Sequence, residues 1–126
     1  MNVARHVALC FLAAAMPALA ACGDGYPRRA EVDGHTVAFA TRPAALKVGQ
    51  HFELEGVLCT RAPMPTSLRV DADMPAHRHG MNYRATTTLH TDGRFTSRGL
   101  LMHMPGRWRF IFDFGSFRAT RDIEIE

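Results

Sequence analysis

Trp108-Arg109-Phe110-Ile111-Phe112-Asp113-Phe114 decides the fold. Its aromatic side chains recur at every second position, which is the period of a strand with one buried face. A helix would repeat the apolar positions about every 3.6 residues instead. Burying those rings against a second layer is worth about 1.5–3 kcal/mol per large side chain. Trp108 is therefore expected in the core rather than stacked on a ligand.

The same period spreads outward from this strand. Downstream, Gly115-Ser116 turns the chain and Phe117, Ala119, Ile123 and Ile125 follow. Upstream, Pro105-Gly106 closes a strand running from Phe95 to Met102. Before that, Thr91-Asp92-Gly93-Arg94 forms a hairpin turn after Tyr83 to His90, because Asp-Gly tolerates positive φ. Leu68, Val70, Ala72 and Met74 alternate with Arg69, Asp71 and Asp73. Phe52, Leu54, Val57 and Leu58 make another strand, with a break expected at Gly56. Val37 and Phe39 make the first, after the turn dipeptide Asp33-Gly34. Seven short strands with turn signals every 8–12 residues predict an all-β, immunoglobulin-like antiparallel β-sandwich, with a small barrel as the alternative.

The N-terminal stretch has a different character. Arg5 and His6 precede an apolar run that is short for a bilayer span, which needs roughly 20 residues. The pattern is that of an export signal over residues 1–21. Leu19-Ala20-Ala21-Cys22 resembles the bacterial lipobox and predicts lipidation of Cys22. That implies an exported lipoprotein at the cell or outer membrane, facing the periplasm and held by an acyl anchor. Residues 22–34 then serve as lipidated N-terminus and tether, and residues 35–126 as the domain. With Cys10 removed and Cys22 lipidated, Cys59 is left alone as a small core residue in Gly56-Val-Leu-Cys-Thr60.

Removing the leader leaves 105 residues, enough for one domain. Its charges are interspersed, and no basic run or Arg-aromatic interleaving points to nucleic acid.

Two short segments carry the chemistry: Met74-Pro-Ala-His77-Arg-His79-Gly-Met81 and Met102-His103-Met104-Pro-Gly-Arg-Trp108. Imidazole and thioether are the donors that copper accepts, whereas calcium would call for carboxylates. His77, His79, Met81, His103 and Met104 are the candidate ligands, with Met74 and Met102 as additional ones. Thioethers favour Cu(I), and the imidazoles would also hold Cu(II). The structural alternative places the methionines in the core and the histidines in a solvated loop. Met64, His35, His51 and His90 lie outside the segments and are read as structural.

The pattern Met-Pro-x-His-x-His-Gly-Met, followed by Met-Pro-Gly-x-Trp on an aromatic strand, resembles the YtkA-like domain family over roughly residues 35–125. The resemblance implies a small exported Ig-like domain. It also implies a role in copper trafficking or oxidase assembly, with His77, His79, Gly80 and Met81 on the first motif and Met104, Pro105, Gly106 and Trp108 on the second. Three functions follow from the residues and the resemblance together. The leading one is a copper chaperone or buffer that passes metal to a copper-accepting or membrane-complex protein. The second is a metal-free interaction module assisting a membrane or respiratory complex. The third, a zinc hydrolase using His77, His79 and His103, lacks a convergent general base, since Asp71 and Asp73 sit opposite the Val70 face. No Ser-His-Asp or Cys-His arrangement is present either, so the chain is not expected to be an enzyme.

Overall fold

The computed structural model describes residues 20–126; the export signal, expected over 1–21, lies almost wholly outside them. Nine strands form two antiparallel sheets: β1 Arg28–Val32, β2 His35–Arg42, β3 His51–Cys59, β4 Arg69–Met74, β5 His79–Gly80, β6 Thr86–Leu89, β7 Arg94–Leu101, β8 Gly106–Asp113 and β9 Arg118–Ile125. One sheet has the order β1-β2-β3-β7-β6 and the other β5-β4-β8-β9. The immunoglobulin-like sandwich expected from the alternation is what these sheets build, with nine strands in place of seven.

Both additional strands are edges. The stretch expected as a tether contains β1, which pairs with β2 from Arg28↔Phe39 to Val32↔His35. Asp33 and Gly34 both adopt positive φ in the turn between them, so the dipeptide that announces β2 also closes a hairpin. The alternation in β1 is weak, and only Ala30 is buried there. β5 is two residues long and is set by its pairing with β4, Met74↔His79 and Asp73↔Gly80.

The core is filled from both sheets by Val37, Phe39, Phe52, Leu54, Leu58, Phe95 and Leu100 against Val70, Ala72, Trp108, Phe110 and Phe112. Trp108, Phe110 and Phe112 are fully shielded from solvent. Phe39 lies edge-on to Phe110, with ring centres 5.7 Å apart. The break expected at Gly56 is absent, because β3 runs unbroken from His51 to Cys59. Gly56 instead marks a close approach. A Cβ there would collide with the Ala38 carbonyl oxygen and come within 2.7 Å of Phe95 Cζ.

Cys22 and Cys59 are joined by a disulfide, which corrects two expectations. The Cys22 sulfur is bonded to Cys59 and so is not available for a thioether to lipid. Cys59 is neither unpaired nor a core residue but half-buried at the end of β3. The bond ties the N-terminal turn down onto the sheet, where Gly23 is buried against Ala38.

Candidate functional site: a histidine pole over Trp108

The two motifs meet at one end of the sandwich, where β4 ends and β8 begins. Met74 opposes His79 in the β4–β5 register, so both side chains face inward. Between them the chain makes a tight turn in which the His77 and Arg78 amides both donate to the Met74 carbonyl at 3.0 Å. Arg78 takes φ of 56°, a left-handed conformation that L-residues seldom adopt. This turn leaves the His77 and His79 ring centres 5.7 Å apart.

The second motif reaches the same place by another route. β7 ends at Leu101, so Met102 to Pro105 are free of strand alternation and cross from one sheet to the other. The Trp108 indole N–H donates to the Met104 carbonyl at 2.9 Å. That bond closes a loop over Met104-Pro-Gly-Arg-Trp108 and satisfies the one polar atom of a fully buried ring. Gly106 has φ of 120° and passes close to Met74, whose Cε would lie 3.1 Å from a Cβ there. Glycine is what this turn requires.

The result is a chain of three imidazoles above the tryptophan. His79 and His103 have ring centres 5.1 Å apart, and they lie 6.0 and 5.4 Å from the Trp108 ring in edge-on contacts. His77 is exposed, while His79 and His103 are half-buried. Nitrogen–metal bonds of about 2.0–2.1 Å put two imidazole centres on one tetrahedral ion roughly 5 Å apart, which is the spacing of His79 and His103. His103 Nδ1 is buried and has no hydrogen-bond partner. An orphaned buried nitrogen costs about 1–3 kcal/mol unless something satisfies it, and a metal ion would. Among the described residues, no group of three or more His, Cys, Asp or Glu side chains is gathered around a common point.

The methionines divide. Met74 and Met102 are 2% and 1% exposed, so these two additional candidates fill the core beneath the histidines. Met104 is half-buried beside His103 and packs on the core edge. Met81 donates its amide to the Ala72 carbonyl at 3.1 Å, one rung down from His79. It lines a cleft of about 330 Å³ with Val70, Asp71, Tyr83 and Arg84.

Asp71 and Asp73 point away from the core, as the β4 alternation predicts. Asp73 Oδ1 is buried without a partner, across the β4–β8 pair from Arg109. Arg109 in turn is held above its ordinary pKa by a hydrogen bond from its guanidinium to Asp122 and by the charge of that carboxylate.

One neighbour was not apparent from the sequence. His51, read as structural, is exposed and edge-on to Tyr83 at 5.2 Å, and it opposes Leu101 at this same end. The signal that could reveal it is the β3–β7 register, which spacing alone does not supply. No family model, curated protein or solved structure matches the chain.

Proposed function

We propose that this is an exported, disulfide-bonded copper-binding domain, a chaperone or buffer, holding copper at His79, His103 and Met104 with His77 as an exchanging ligand. The observation that carries the reading is the His79–His103 pair at 5.1 Å with the buried Nδ1 of His103 lacking any partner. Two nitrogens and a thioether suit Cu(I) better than zinc, which takes cysteine or carboxylate alongside histidine. The exposure of His77 supports exchange, because an incoming ligand can replace it while the half-buried pair keeps its hold. The Cys22–Cys59 disulfide supports an oxidising compartment. The likeness of both motifs to the YtkA-like family points the same way.

The test is a Cu(I) titration of residues 22–126 under an oxygen-free atmosphere against a competing chelator, with Cu(II) and Zn(II) run in parallel. Tight one-to-one Cu(I) binding is expected, and it should be lost in the His79→Ala, His103→Ala double variant. Binding no tighter than about micromolar for all three ions would overturn the proposal and leave the metal-free interaction module in its place.

A further inference from the structure

The histidine pole differs from the rest of the surface in charge and exposure. Fourteen Lys and Arg residues lie among those described. Eight of them form ion pairs, and Arg28 and Arg121 are held by hydrogen bonds. The four that do neither are Lys47, Arg61, Arg78 and Arg84, all exposed. Three of these belong to the histidine pole. Arg78 lies between His77 and His79. Lys47 is two residues from Gly49, whose amide donates to the Met102 carbonyl at 2.8 Å. Arg84 follows Tyr83, whose ring meets His51.

A second feature falls on the same end independently. Among the described residues, the exposed large hydrophobic side chains are Val48 at 37% and Tyr83 at 48%. Val48 stands on the Lys47 loop and Tyr83 beside Arg84. Two loops at this pole thus each present one apolar side chain next to one unpaired cation, and His51, which follows the Lys47 loop, meets the Tyr83 ring.

We infer that this pole is a docking face for an acidic protein surface, one whose carboxylates meet Lys47, Arg78 and Arg84 around an apolar centre that covers Val48 and Tyr83. Unpaired rim charges steer encounter and set register without much cost in desolvation. Aromatic residues and arginine are the side chains enriched at such interfaces. Three cations fall short of the four to eight that mark binding to anionic lipid, so a protein fits this face better than a membrane. The inference extends the copper reading, since docking here would place an acceptor's ligands against the exposed His77. Its charge and exposure argument holds for the metal-free protein as well.

The experiment therefore uses the metal-free domain and a defined probe, a synthetic peptide of glutamates around a central phenylalanine. Amide shifts are followed by heteronuclear NMR. Shifts confined to residues 45–51, 77–84 and 101–107 are expected, weakening as salt is raised. The Lys47→Glu, Arg84→Glu variant should bind on the order of tenfold more weakly, and Tyr83→Ser should also lose affinity, with native dispersion retained in both. Shifts spread equally over Arg61 and Arg121, or unchanged binding by the reversed-charge variant, would overturn the inference. So would binding to anionic phosphatidylglycerol vesicles with no response to the peptide. Cu(I) titration of the same variant separates the two claims. Retained copper binding with weakened docking in this variant is the expected result, whereas peptide docking to the unaltered protein without any copper binding sinks the metal reading alone.

Discussion

His35 and His103 stand at opposite ends of the sandwich, each against an aromatic ring, and they differ in what their nitrogens meet. The His35 ring stacks on Phe117 with centres 3.8 Å apart, and its Nδ1 lies 2.9 Å from the Thr60 hydroxyl. His103 meets Trp108 edge-on at 5.4 Å, and its buried Nδ1 has no partner. Sulfur differs as well. At the His35 end, Cys22 and Cys59 are joined to each other, while at the His103 end the Met104 side chain is half-buried against the edge of the core. One end has its polar and sulfur valences internally satisfied. The other leaves a buried imidazole nitrogen without a partner, and that contrast marks the candidate site better than residue type alone.

The comparison breaks most visibly at its aromatic supports. Trp108 is fully buried and Phe117 only half-buried. Trp108→Ala should cost about 3–5 kcal/mol in urea unfolding and remove the floor under both imidazoles. Phe117→Ala should cost distinctly less. Equal losses would mean that the two ends are supported alike. The disulfide comes next. Cys22→Ser with Cys59→Ser opens a link across a sequence separation of 37 and should cost about 2–4 kcal/mol. Copper affinity should be unchanged, because the site lies at the other end. A matching loss of affinity would show that the ends are coupled.

The two ends were unequally legible in the sequence. The sandwich follows from period-two alternation in β4 and β8, where sterics and burial leave little choice. The meeting of His79 with His103 depends on the β4–β8 pairing, which joins segments far apart in sequence, as well as on the local β4–β5 turn and the loop held by Trp108. Residue chemistry could nominate those side chains but not join them. The disulfide end was misread because the lipobox-like Leu19-Ala20-Ala21-Cys22 assigned the Cys22 sulfur to lipid. Two cysteines left after an export signal are equally a pair to be joined, and the short weak strand Arg28–Val32 gave no hint that the N-terminal segment packs on the sheet. Met81 and Met104 share a residue type and a motif family with Met74 and Met102, and only tertiary packing separates the half-exposed pair from the buried one.

The finest test substitutes the two contrasted histidines in the same way. His35→Leu removes a satisfied nitrogen and its bond to the Thr60 hydroxyl, which keeps only the Ala62 amide as a partner, so stability should fall by about 1 kcal/mol. His103→Leu removes an unsatisfied buried nitrogen and puts apolar volume beside Trp108 and the core edge. Losing an orphan polar atom relieves its desolvation cost, so apo stability should hold or rise by up to about 1 kcal/mol. The same His103 variant should lose at least on the order of tenfold in Cu(I) affinity, about 1.4 kcal/mol, while the His35 variant should bind as before. Stability and binding would then move in opposite directions at one end and along separate axes at the other. A His103→Leu protein that is destabilised as much as His35→Leu would show that Nδ1 is satisfied in solution by water. The ring would then be a structural element of the loop, and the case for a ligand there would rest on His79 and Met104 alone.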